Sequence, residues 1–232
     1  MQFIIGNWKM NGTRKEKDTM TATISRKKTS ARVILCLPFT LLSGENHGVL
    51  IGAQDISEHD NGAYTGDISG KMIAETGAKY VIVGHSERRS NHDETNKMIK
   101  TKAENAIKNK LIPIICIGET LAEHKSGATK AVITKMMKET LPISGKFIVA
   151  YEPRWAIGTG LTPTPEQTAQ IINMIYEYLK KHNHGTTPIV YGGSINATNA
   201  KSFISIPHIN GLLIGGASLK TKTFLPIIDS IS

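Results

Sequence analysis

Short runs of consecutive apolar, often β-branched residues recur eight times along the chain, at 3–5, 33–37, 49–51, 80–83, 112–117, 147–150, 189–191 and 212–214. Strands wetted on one face alternate apolar and polar residues. Unbroken runs instead mark strands buried on both faces, as in a parallel sheet covered by helices. Helical patterns fill most of the intervals. In 164–182, Thr164 is placed to cap, Pro165 sits in the first turn and Gln167 completes a capping box. Ile171, Ile172, Ile175 and Leu179 then form one apolar stripe. In 94–109 the stripe is Ile99, Ala103, Ala106 and Ile107. Strand and helix alternate throughout with no linker, which predicts one α/β domain over 1–232. Eight strands suggest a closed, single-domain (β/α)8 barrel, although periodicity alone fits an open sheet too. One unit is short. Between the second and third runs lies only "TLLSGENHGV", so the second helix is expected to be shortened to one turn or a bare connection.

Composition agrees with this and excludes some alternatives. A chain of 232 residues is long for an average domain but ordinary for one barrel. Its 40% apolar and 20% charged residues are those of a soluble globular protein. No segment approaches the ~20 unbroken apolar residues of a membrane span. The start, "MQFIIGNWKM", has neither a basic leader nor a small-residue cleavage site, so a cytoplasmic protein is expected. Cys36 and Cys116 lie in "VILCLPF" and "IPIICIGE" and read as reduced core residues, because two thiols make no metal framework. The net charge of +9 is partly gathered in 13–32, where Arg14, Lys15, Lys17, Arg26, Lys27, Lys28 and Arg32 outnumber Glu16 and Asp18. A nucleic-acid footprint is one reading, but no aromatic residues interleave and no recognition motif is present. A solvated helix face accounts for it better. A positive field would also speed encounter with a small anionic substrate.

Barrel active sites form at the carboxyl ends of the strands, so the residues after each run are the test. The first run ends in "GNWKMNG", the fourth in "GHSERR" and the sixth in "YEPRWAIGTG". The seventh ends in "YGGS" and the eighth in "GGAS". Ionisable residues and glycines thus gather on one rim.

These segments carry a resemblance. "NWKMNG", "AQDIS", "GAYTGD", "VGHSERR", "CIGE", "YEPRWAIGTG", "YGGSI" and "GLLIGGASL" succeed one another in the order of the triosephosphate isomerase family, which the chain closely resembles. The likeness runs from about residue 3 to 231. It implies a TIM barrel that interconverts dihydroxyacetone phosphate and D-glyceraldehyde 3-phosphate through an enediolate, in glycolysis and gluconeogenesis. It implies no metal and no organic cofactor, since the proton to be moved already lies beside a carbonyl. A homodimer is implied as well, through a loop around Thr65 that inserts into the partner subunit and braces the catalytic Lys and His. No membrane or nucleic-acid partner is expected.

Such a reaction needs a base, an electrophile for the developing oxyanion and a site that excludes water. Glu152 is the expected base, made more basic if closure desolvates it. A structural strand-end carboxylate is the alternative. His85 is the expected electrophile; "SERRSNHDE" after it reads as a helix start whose amides would disfavour imidazolium. A base glutamate beside a neutral histidine is the arrangement known for this family. Lys9 would draw in the phosphate and stabilise the enediolate oxygen, with Asn7 two residues earlier on the same strand pointing to the same face. Glu87 is expected behind these groups, shuttling protons or holding Lys9, and Ser86 beside it. For the phosphate, Gly215, Gly216 and Ser194 offer amides or a hydroxyl after the last two strands, and Gly158 resembles the family's lid amide. Gly192 and Gly193 can also be plain turn residues. Between Pro153 and Gly158-Thr159-Gly160, "WAI" reads as an apolar flap that closes over the acid. Three positions depart from the family pattern: Arg154 replaces a usual small apolar residue, Leu161 a usual basic one, and Asp67 a common Glu. Two rival classes make different demands. A barrel enzyme for a larger sugar phosphate would change Glu152, His85 or the flap, and an idle or nucleic-acid-binding scaffold would lose the Asn7/Lys9/His85/Glu152 set.

Overall fold

Eight strands, each hydrogen-bonded to the next and the last to the first, close a parallel barrel. They are β1 (Phe3–Asn7), β2 (Arg32–Leu37), β3 (Leu50–Ala53), β4 (Tyr80–Val83), β5 (Ile112–Ile117), β6 (Ile148–Tyr151), β7 (Ile189–Tyr191) and β8 (Ile209–Ile214). This is a computed structural model, and it describes residues 2–157 and 163–231. The expected runs coincide with the strands to within a few residues. Closure, which periodicity left open, is established by the β1–β8 pairing of Phe3 with Gly211 through Gly6 with Ile214.

The unbroken apolar runs now have their physical reason. Alternate residues such as Ile5, Ile34, Cys36, Ile82, Ile114, Cys116, Ala150 and Val190 fill the barrel interior. Their neighbours, among them Ile4, Leu35, Val81, Ile115 and Val149, face outward into the helix layer. Both cysteines are free and buried, as expected.

The helices are α1 (Arg14–Ile24), α2 (Gly70–Glu75), α3 (Ser86–Asn91), α4 (Asn96–Lys108), α5 (Leu121–Lys125), α6 (Thr129–Thr140), α7 (Pro165–Lys181), α8 (Ala200–Ile204) and α9 (Thr221–Asp229). In α7 the Thr164 side chain accepts from the Gln167 amide while the Gln167 side chain accepts from the Thr164 amide, the expected capping box. Its Ile171, Ile172, Ile175 and Leu179 are all buried. Each contributes on the order of 2 kcal/mol through area removed from water. Between β2 and β3 the chain makes one 3-10 turn, Phe39–Leu41, as the short interval required.

Two expectations need correction. The stripe of α4 is Ile99, Ala103 and Ala106 with Lys102, not Ile107, as its fourth buried member. The basic face of α1 is not wholly solvated: Lys17 is 1% exposed and its ammonium donates to the Ser43 carbonyl at 2.8 Å. In both cases a long side chain carries its charge to an acceptor on another element, which helical spacing does not reveal.

Candidate active site

The carboxyl ends of the strands surround a cavity of about 220 Å³ lined by Asn7, Lys9, His85, Glu152, Ser194 and the Gly192-Gly193 and Gly215-Gly216 turns. Glu152 directly succeeds β6. Its amide donates to the Ile117 carbonyl at 2.8 Å, so it continues the ladder by one residue, and only 2% of it is exposed. One carboxylate oxygen, Oε1, lies 3.3 Å from His85 Nε2. The other, Oε2, is buried with no hydrogen-bond partner among the described residues. Two glycines make room for this acid. A Cβ on Gly118 would stand 1.7 Å from the Glu152 carbonyl oxygen, and one on Gly192 would stand 2.7 Å from Glu152 Cγ. Gly192 therefore serves close approach rather than a turn conformation.

His85 caps α3. Its Nδ1 accepts from the Glu87 amide at 3.2 Å, so that nitrogen carries no hydrogen and the ring proton sits on Nε2, facing Glu152. Ser86, the first residue of α3, is buried beside it. Arg89, one turn on, fixes the surroundings by donating to the carbonyls of Gly84 (2.8 Å) and Cys116 (3.1 Å) and to Asn96 Oδ1 (2.6 Å). Burial pushes its pKa down to about 10, which leaves it charged at neutral pH. Burial, and then the negative charge of Glu152, raise the Cys116 thiol well above its usual value, so it is packing rather than nucleophile.

Lys9 reaches the cavity by a route other than the one expected. β1 ends at Asn7, and Lys9 lies beyond it with φ of 53°, in the left-handed region. The two side chains share the cavity because of that turn, in which Asn7 Oδ1 accepts from the Lys9 amide at 3.0 Å, and not because of strand alternation. The Lys9 ammonium pairs with Glu87 Oε1, so of the two roles open to Glu87 the geometry displays the holding contact.

At the far side of the cavity, Gly215 lies close to Lys9, and a Cβ on it would be 3.4 Å from Lys9 Cε. Gly216 starts the short turn Gly216–Ser218, and nothing lies within 4 Å of where its Cβ would be. Ser194 donates from Oγ to the Ala156 carbonyl at 2.6 Å, tying the β7 loop to the flap's first turn, Arg154–Ala156. Gly158 and Leu161 lie outside the described residues.

The flap's anchor has no counterpart among the expected site residues. Glu119 is 1% exposed and accepts from Trp155 Nε1 at 2.9 Å and from Tyr151 Oη at 3.3 Å. Its carbonyl also accepts from the Arg154 amide at 3.0 Å. Burial, then Glu119, push the Tyr151 phenol far up, so it stays a donor. An acid straight after Gly118 at the end of a buried strand is the signal that could have found it. Arg154, the departure at the first hinge, donates to Ser90 Oγ at 2.6 Å and so ties the flap to α3. Thr65 sits on an exposed stretch where Tyr64 stacks on His59 at 3.7 Å between ring centres. There Asp67 accepts from Ser57 Oγ at 2.5 Å.

A closed parallel barrel whose carboxyl-end mouth gathers a buried acid, an imidazole, an ammonium and glycine-rich turns defines a (β/α)8 barrel enzyme. Comparison with known proteins narrows this class. The family model described as triosephosphate isomerase matches residues 2–231. Among curated relatives, triosephosphate isomerase of Nitrosococcus oceani is 41% identical over 244 residues, covering 98% of either chain. That of Hyphomonas neptunium is 42% identical over 239 residues, covering 97% of this chain and 96% of its own. A crystal structure of triosephosphate isomerase from Bartonella henselae superposes with a TM-score of 0.89 at 39% identity, over 99% of this chain and 98% of that one. The chain belongs to the triosephosphate isomerase family.

Proposed function

We propose that this chain, acting as one barrel domain over 1–232, interconverts dihydroxyacetone phosphate and D-glyceraldehyde 3-phosphate, with Glu152 as base, His85 as electrophile and Lys9 as fixed positive charge. One observation carries the assignment: the buried Glu152 leaves Oε2 unpartnered while Oε1 faces His85 Nε2. Substrate carbon placed in the cavity meets that free oxygen. Glu152 takes a proton from the carbon beside the carbonyl, and the electron pair moves onto the carbonyl oxygen. The Nε2 hydrogen and the Lys9 ammonium stabilise the oxyanion as it forms. The proton on Glu152 then passes to the neighbouring carbon, while the hydroxyl on the first carbon gives up its proton and the oxyanion gains one, exchanged through His85 Nε2. The carbonyl thus reforms one carbon along and aldose–ketose exchange is complete.

The phosphate is held by the amides of Gly215 and Gly216, by the Ser194 loop and by Gly158 of the flap, whose closure keeps water from the enediolate. Glu87 and Ser86 hold Lys9 and His85 in place. The reaction belongs to glycolysis and gluconeogenesis and to the cytoplasm; no helix among the described residues is long and apolar enough to cross a membrane. The active form is a homodimer, with Thr65 in the contact.

A coupled isomerase assay on purified protein tests the assignment. Wild type turns over triose phosphate rapidly, and Glu152→Asp, which withdraws the carboxylate by one methylene, loses kcat by about a thousandfold. Equal kcat values for the two proteins would remove Glu152 as base.

A further inference from the structure

A second cavity, about 440 Å³ and twice the size of the one at the mouth, lies at the opposite end of the barrel. Phe3, Arg32, Tyr80 and Ile112, which line it, are the first residues of β1, β2, β4 and β5. The length of β1 alone separates it from Asn7 by about 13 Å. The catalytic cavity shares none of its lining residues.

The lining has a consistent chemistry. Phe3 and Ile148 belong to the barrel's apolar interior, with Ile112 packed against it, and they give the cavity an apolar floor. Tyr80 is 3% exposed, yet its hydroxyl has no hydrogen-bond partner among the described residues, although it lines this cavity. The hydroxyl is not among the buried unpartnered polar atoms, so it opens onto the cavity. At the rim stand Arg32 and Lys146, both exposed, and neither meets a carboxylate among the described residues. No acid lines the cavity. Asn210 Oδ1 is taken by the Ile189 amide at 2.9 Å, so its amide hydrogens remain to donate. Thr187 adds a hydroxyl. Every free polar group here is a donor or can act as one.

We propose that this amino-end cavity is a binding site for a small aromatic carboxylate. The flat body lies against the apolar floor, and the Arg32 fork, which matches a carboxylate's two oxygens, holds the head with Lys146. Tyr80 supplies a donor from the cavity wall. The volume suits a ligand of this size, and the surplus of positive charge on the chain favours an anion over a cation.

Calorimetric titration with 2-naphthoate tests this, with thermal melting as the control that each variant folds. Wild type binds one equivalent with Kd on the order of 0.1 mM. The Arg32→Gln/Lys146→Gln double variant and the neutral probe 2-naphthylmethanol each bind at least about tenfold more weakly. Tyr80→Phe weakens binding measurably with little change in melting. Lys9→Gln, altered at the other mouth, binds as wild type does. Absence of saturable binding, full binding by the double variant or by Tyr80→Phe, or loss of binding in Lys9→Gln would each overturn the proposal.

Discussion

At the scale of single residues, the site depends on what is missing as much as on what is present. Glu152 occupies its place because Gly118 and Gly192 carry no side chain where its backbone and Cγ pass. Adding a methyl at position 192, 2.7 Å from Glu152 Cγ, pushes the carboxylate away from the substrate carbon while leaving the phosphate turns intact. Gly192→Ala is therefore expected to lower kcat by about a hundredfold, the cost of misplacing a reacting group by roughly an ångström, with KM little changed. Steady-state kinetics checks the split, and a KM rise at constant kcat would show that position 192 serves binding instead. Much at this scale is legible in the sequence. Glu152, His85, Asn7 and Ser194 stand where strand ends place them, because an acid or imidazole closing a buried run has only the barrel mouth to face. Glu119 closes the β5 run in the same way, but what it anchors is not legible, since its partner Trp155 lies on the flap, a contact no local pattern encodes. Strand alternation puts Lys9 in the cavity for a wrong reason, because a positive φ on a lysine is invisible in sequence.

At the scale of elements, strands are easier to place than the charges between them. Unbroken apolar runs and a capping box are local signals, and they locate β4, β5, β7 and α7 closely. The charged cluster of buried Glu94 and Lys102 with the half-buried Asp55 and Arg88 is not local. It joins the loop after β3 to α3, the α3–α4 link and α4, with Lys102 Nζ 2.8 Å from Asp55 Oδ1 and 2.5 Å from Glu94 Oε1. Burial alone would raise Glu94, but the hydrogen bond and charge of Lys102, then those of Arg88, outweigh it and hold its carboxyl below the usual range. Burial raises Asp55 despite the same cations. The two acids thus act in opposite senses. A lowered carboxyl stabilises the fold above its unfolded pKa, near 4.3, and that stability is lost as pH falls through the folded value. A raised one weighs against the fold at neutral pH and is relieved on acidification. Replacing Glu94 isolates its share. Glu94→Gln is expected to cost about 3 kcal/mol at pH 7, as for breaking a buried ion pair. The gap to wild type should narrow as pH drops below about 4.3. Urea melts at pH 7 and pH 3.5 measure it, and a gap that stays constant would mean Glu94 acts through shape rather than charge.

At the scale of the whole molecule, the barrel on its own leaves part of its site lightly held. Lys9 sits in a conformation that costs a non-glycine residue about 1–2 kcal/mol, and such strain persists only where surroundings enforce it. Within the chain, the contacts seen are the Asn7 side chain on its amide and Glu87 on its ammonium, and those ion-paired side chains are 29% and 44% exposed. Beside Lys9, Met10 is 96% exposed, and Tyr64 on the stretch that carries Thr65 is 46% exposed. An apolar side chain that bare beside Lys9 is costly unless something covers it. In the proposed homodimer a second copy would cover it, with the exposed 60–67 stretch as the part that would reach across. Sequence carries the loop but not the reason, since neither the strain at Lys9 nor the exposure of Met10 can be read from residue order. Sedimentation velocity is expected to give twice the chain mass. Thr65→Arg, which adds charge to a protein already at +9, should shift it to the single chain. Freed of its brace, Lys9 wanders, and kcat should fall by about a hundredfold while circular dichroism still reports a folded barrel. A single-chain Thr65→Arg protein with full activity would show that the barrel holds Lys9 unaided, and that the partner does no more than cover apolar surface.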